Sequence, residues 1–241
     1  MQRHVVLFAR EPGREAQEKG FTHPEARELF ARLAGQWREG AKSVGARLVV
    51  ASPPEDRLAW RRCLGPRTPY LWIGQRGTSF GQRLENSARA AGALPGHSVI
   101  VGGDVVPSAS ALAEAFTAME AGADAVLAAA PDGGVSLLAL RAWDVDLLRA
   151  IAPRRRDVFA LLRARLLSRG RRVLVIAAAP DVDGRRGLRA LLASDQIVGP
   201  LRAAARRALE RSDPFPDDMA SFVHPAGGRT PVSLRGPPAA A

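Results

Sequence analysis

Apolar residues fall along this chain in two alternating rhythms. Short runs rich in β-branched residues predict buried strands bounded by Pro or Gly: HVVLFA (His4 to Ala9), ARLVVAS (Ala46 to Ser52), YLWIG (Tyr70 to Gly74) and SVIVGGD (Ser98 to Asp104). ADAVLAAA (Ala123 to Ala130), GVSLLAL (Gly134 to Leu140) and RRVLVIAA (Arg171 to Ala178) predict three more. Between the strands the spacing turns helical. Pro24 opens a segment to about Gly40 in which Ala26, Leu29, Phe30, Leu33 and Trp37 recur on one face. Shorter helices are predicted over Glu55 to Cys63, Ser79 to Ala91, Ser108 or Ser110 to Met119, Asp144 to Ile151, Asp157 to Ser168 and Gly187 to Ala193. Such alternation predicts a single-domain α/β fold, a mainly parallel mixed sheet flanked by helices on both faces. No internal repeat is visible. The expected division is a domain over residues 1–195, then a basic helix (Pro200 to Arg211) and a Pro-, Gly- and Ala-rich tail within 196–241.

Composition narrows the class. Of 241 residues, 46% are hydrophobic and 24% charged, as in ordinary globular proteins. No apolar run approaches the roughly 18 residues of a membrane helix. The opening MQRHVVLFAREPG lacks the apolar length and small-residue cleavage site of a signal peptide. A single cysteine, Cys63, excludes an internal disulfide and any cysteine-rich metal site, so a cytoplasmic setting is expected. The net charge is +11, concentrated between Arg141 and Arg211, where 17 arginines face 7 acidic residues. Arginine at this density beside so many alanines is also what GC-rich coding produces. With 5% aromatics and no recognisable reader motif, nucleic acid is not the expected partner.

In an open parallel sheet, ligands bind beyond the carboxyl ends of the strands. Four features fall at such ends: FAREPG after the first strand, Asp104 after the fourth, PDGG at Pro131 to Gly134, and DVD at Asp181 to Asp183. Asp104, Asp132, Asp181 and Asp183 can therefore converge on one crevice, and carboxylates there suit a hard cation such as Mg²⁺. Singly, each aspartate is an ordinary turn residue. Other chemistry finds little support. His4, His23, His97 and His224 read as turn or exposed histidines without metal-ligand spacing. Neither a G-x-S-x-G elbow nor a G-x-x-x-x-G-K-[ST] loop is present.

Five short motifs in order carry a resemblance. FAREPGRE (Phe8 to Glu15), QRGTSFGQRL (Gln75 to Leu84), VGGDVVP (Val101 to Pro107), PDGGVSLLAL (Pro131 to Leu140) and PDVDG (Pro180 to Gly184) follow one another over residues 4 to 193. The set resembles a bacterial family of GT-A-like glycosyltransferases or nucleotide-diphospho-sugar transferases, with FAKxPxPGxxKTRL, GxDCP, DGGY and DVDT motifs. The resemblance implies a transferase acting on a nucleotide-diphospho-sugar or an NTP, with an acceptor it does not name. Phe8, Ala9, Arg10, Gly13, Gln75 and Arg83 would line the nucleotide. Asp104 and Asp183 would hold Mg²⁺ or Mn²⁺, Asp132 would be catalytic, and Gly133 and Gly134 would face the sugar or acceptor.

The departures carry expectations of their own. The opening loop is shorter, and its Lys-Thr-Arg positions fall near Ala16, Gln17 and Glu18. Val105 and Val106 replace Cys-Pro, Val135 the tyrosine and Gly184 the threonine. Glu11, Glu15 and Glu18 put negative charge where a phosphate clamp is expected, with Lys19 the nearest lysine. Nucleotide binding weaker than in a typical family member follows, and a second class stays open: a non-catalytic descendant acting as a binding or regulatory module.

Overall fold

The apolar runs pair side by side into one sheet. The computed structural model describes residues 1–142, 147 and 157–211. The strands are β1 (Arg3–Phe8), β2 (Arg47–Ser52), β3 (Leu71–Gly74), β4 (His97–Gly102), β5 (Ala125–Ala129), β6 (Val135–Leu140) and β7 (Val173–Ile176). The helices are α1 (Pro12–Glu18), α2 (Pro24–Ser43), α3 (Arg57–Leu64), α4 (Phe80–Gly92), α5 (Ala109–Glu120), α6 (Val158–Ser168), α7 (Gly184–Ala193) and α8 (Gly199–Glu210), with a 3-10 turn at Pro54–Asp56.

Sheet order is β3-β2-β1-β4-β6-β5-β7. Every pairing is parallel except those of β6, which runs antiparallel to β4 and β5. The reason is local. Ala130 donates its N–H to the Gly134 carbonyl and Gly133, at φ +88°, closes the turn onto Ala130, a connection too short for a parallel crossover.

Period-two alternation sends each strand's side chains to opposite cores. Val5, Leu7, Val99 and Val101 pack with Trp37, Trp60, Leu112 and Phe116 on one face; Val6, Ile100 and Leu127 pack with Ala88, Leu162 and Leu166 on the other. A further cluster lies beyond the sheet, where Leu29, Phe30 and Leu33 of α2 meet Leu188 and Leu191 of α7 and Leu201, Ala204 and Ala205 of α8.

Several expectations need correction. The segment after β1, read as a loop, is a helix: Pro12 occupies its first turn, and the Glu11 carboxylate caps it by accepting from Gly13 N–H at 2.9 Å and Arg14 N–H at 2.8 Å. His4 and His97 are not turn residues but neighbouring strand residues at 1% and 6% exposure, buried because β1 and β4 are central. α7 begins at Gly184 rather than Gly187. The expected helix at 144–151, apart from Leu147, and the tail from 212 lie outside the described residues.

Candidate functional site

The carboxyl ends of β1 and β4 lie side by side, Phe8 opposite Gly102. Beyond them the two exits approach closely: a Cβ at Gly103 would fall 2.3 Å from that of Ala9. The chain then turns through Asp104 and pairs with the DVD segment, although the two are far apart in sequence. Val105 and Asp181 form an antiparallel bridge, Val182 N–H donates to the Asp104 carbonyl at 2.9 Å, and Val106 N–H donates to Pro180 at 2.8 Å. From α2, Trp37 Nε1 donates to the Val105 carbonyl at 3.0 Å. Asp104, Asp181 and Asp183 are thereby gathered at one edge.

α1 completes the cluster. Its start is pinned by the buried Asp56, which accepts from Glu11 N–H at 3.0 Å and from the Arg14 guanidinium at 2.7 Å. At its other end Lys19 reaches the aspartates, its Nζ lying 2.5 Å from Asp104 Oδ2 and 3.2 Å from Asp183 Oδ1. One turn earlier, Glu15 accepts from Arg10 N–H at 3.1 Å.

The electrostatics follow from this crowding. Burial, and then the charge of Asp104, push the Glu15 carboxyl up to about 7. Burial raises Asp181 to about 6, and the charges of Asp104 and Asp132 add to the effect. Burial alone would lower Lys19, but the charge and hydrogen bond of Asp104, with Asp183 and Glu15, hold it above the ordinary lysine value. Among the described residues no group of three or more His, Cys, Asp or Glu side chains is disposed to hold a metal. Two carboxylates do converge on one cation, which is the donor set a Mg²⁺-sized ion needs from protein when phosphates and water supply the rest.

The other expected site residues are distributed as follows. Phe8 stacks edge to face on the exposed Phe80, ring centroids 5.7 Å apart. Arg10 pairs with Glu18 at 3.2 Å. Gly13 N–H is taken by the Glu11 cap, and the buried Gln75 donates Nε2 to the Ala51 carbonyl at 2.9 Å, so both spend polar groups on the scaffold. Arg83 lies in the first turn of α4. Asp132 is exposed and accepts from Gly134 N–H at 2.8 Å, an Asx turn that shapes the Gly133–Gly134 loop. Glu15 and Lys19 were legible only as loop charges. Their signal was the i, i+4 spacing behind a proline at the first helical position.

Two cavities flank the crevice without including these carboxylates. One of about 640 Å³ lies between α1, α2 and the start of α3, beside Arg14, Gln17, His23 and Arg27. The other, about 270 Å³, lies beside Ser108, Glu114 and Pro180. The raised carboxyls of Glu15 and Asp181 line neither hollow.

This sheet order, with an antiparallel β6, gives the chain a GT-A-like α/β fold. Residues 37–153 match a family model described as "Uncharacterized protein conserved in bacteria (DUF2064)". No curated protein matches the chain. Among solved structures it is similar to a protein of Desulfovibrio desulfuricans G20 classed as a nucleotide-diphospho-sugar transferase, with a TM-score of 0.75, 21% identity and coverage of 86% of this chain and 95% of that one. It is also similar to the nucleotidyl transferase Mth528 of Methanothermobacter, at a TM-score of 0.51, 18% identity and coverage of 79% and 95%. Rv0371c of Mycobacterium tuberculosis H37Rv, crystallised with manganese, gives a TM-score of 0.50, 16% identity and coverage of 80% and 100%. At these identities the likeness concerns the fold.

Proposed function

We propose that the chain is a transferase that binds a nucleotide-diphospho-sugar, or an NTP, at the crevice beyond β1 and β4. The observation that carries this reading is the convergence of Asp104, Asp181 and Asp183 with Lys19 at the strand ends. Asp104 and Asp183 would hold Mg²⁺ or Mn²⁺, which supplies charge neutralisation on the leaving diphosphate; manganese in the Rv0371c crystals supports metal use in this fold. The chain's own residues do the rest. Phe8 and Phe80 offer an aromatic wall for a base, and Arg10 and Arg83 flank the phosphates. Asp132, on its exposed glycine loop, takes the acceptor's proton. The catalytic unit spans residues 1–195, with the basic helix α8 packed onto it through α2 and α7, in a cytoplasmic setting.

Calorimetric titration of UDP-, GDP- and dTDP-sugars and free NTPs, with Mg²⁺ or Mn²⁺, tests this reading. Binding to at least one nucleotide, lost in Asp104→Ala, is expected. A folded protein that binds none of the panel overturns it.

One observation favours a second reading. The Gly13 N–H that would face a phosphate is occupied by the Glu11 carboxylate, which would repel an anion there. A non-catalytic binding or regulatory module would therefore give a silent panel.

A further inference from the structure

We propose that Lys19 is an internal counter-ion holding the cation position between Asp104 and Asp183, and that a divalent metal ion and Lys19 exclude each other there. The inference rests on the reading above only for the entering ion, and its test omits nucleotide altogether.

The geometry leads to it directly. One ammonium lies 2.5 Å from Asp104 Oδ2 and 3.2 Å from Asp183 Oδ1, with the Lys19 and Asp104 side chains each 19% exposed. A Mg²⁺-sized ion shared by those carboxylates would stand about 2.0–2.1 Å from their oxygens, inside the volume that Nζ fills. Two cations cannot share that volume. Asp104 and Asp183 instead share this single ammonium, which bridges them.

Lysine suits an exchangeable role. Its ammonium is a compact charge on a flexible stem, so the head can leave while the backbone stays. The Lys19 N–H is tied to the carbonyls of Glu15 and Ala16 at the end of α1. Gly184, at φ +71°, brings the DVD turn against the Lys19 carbonyl, with its Cβ position 3.6 Å away. An expelled ammonium therefore stays beside the crevice, where an incoming phosphate gives it a new charge-assisted partner. In this way the site keeps its aspartates together when empty and gains a phosphate donor when loaded.

Mn²⁺ alone, titrated into the full chain and followed by the loss of the free-ion EPR signal, reads the competition. Lys19→Ala is expected to bind Mn²⁺ about tenfold or more tighter than the unaltered chain, because the ion no longer displaces charge-assisted bonds. Adding Asp104→Asn should abolish that gain. Equal or weaker binding in Lys19→Ala overturns the proposal, as does a gain that survives Asp104→Asn. Should Lys19→Ala fail to fold, amine labelling of the unaltered chain serves instead. The chain has two lysines, Lys19 and Lys42. Mg²⁺ should speed acetylation several-fold at Lys19 and leave Lys42 unchanged. An unchanged rate at Lys19 overturns the proposal. A silent nucleotide panel would leave either result standing.

Discussion

Glu15 shows how a single residue carries the site's electrostatics. Its carboxyl is raised to about 7, first by burial and then by Asp104, against the favourable pull of the Arg10 N–H and Lys19. Below the unfolded value near 4.5 the group is protonated in both states and costs nothing. Above 7 it is ionised in both, and the fold carries the full penalty, about 3 kcal/mol at 1.36 kcal/mol per pKa unit. Its contribution to stability therefore falls as pH rises between those values. Glu15→Gln, which keeps an acceptor for Arg10, is expected to raise the melting temperature at pH 8 and to leave it unchanged near pH 4. Equal effects at both pH values would show that the ionised carboxylate carries no penalty. Gly184 makes a different point. Where the resembled family has threonine, this chain needs φ +71°, a backbone region that β-branched residues avoid.

At the scale of elements, α1 is the piece that turns a sheet edge into a site. It is seven residues long, too short to be stable on its own propensity, and so depends on its anchors. Asp56 holds its start through the Glu11 N–H and Arg14, and Lys19 holds its end. Asp56→Ala removes an acceptor from both groups and should cost about 1–3 kcal/mol. The loss should also be local: amide hydrogen exchange is expected to accelerate over residues 12–18 and hardly at all in β1 or β4. Unchanged exchange in α1 would mean that its position does not depend on this carboxylate.

Across the whole molecule, α2 joins what lies on the sheet to what lies beyond it. Ala34, Trp37 and Ala41 belong to the sheet core, while Ala26, Leu29, Phe30 and Leu33 belong to the cluster with α7 and α8. A helix shared between two cores transmits the loss of either. Leu201→Ala, at a position 2% exposed on α8, should cost about 2–5 kcal/mol and shift one cooperative urea transition rather than split it. Two separate transitions would show that α8 and its partners unfold independently. The same coupling bears on the site, because Trp37 of α2 holds the Val105 carbonyl next to Asp104.

The sequence by itself determined what depends on near neighbours. Short apolar runs bounded by Pro or Gly placed the strands within a residue or two, the 3.6-residue period placed α2, and of the two serines read as a cap for α5, Ser108 accepts from Ala111 N–H. It also marked Asp104, Asp132, Asp181 and Asp183 as strand-end residues, since an apolar run that stops at an aspartate is a local signal. Only the tertiary structure decided which of these groups meet. The pairing of Val105 with Asp181 and the reach of Lys19 to Asp104 and Asp183 join distant segments through backbone bonds and one flexible side chain, neither of which leaves a periodic trace. α1 is short, its local signals amount to Pro12 and the Glu11 cap, and its anchor Asp56 lies far along the chain. His4 and His97 stayed hidden because burial is set by a strand's place in the sheet order, and that order is a property of the assembled layers rather than of any one strand.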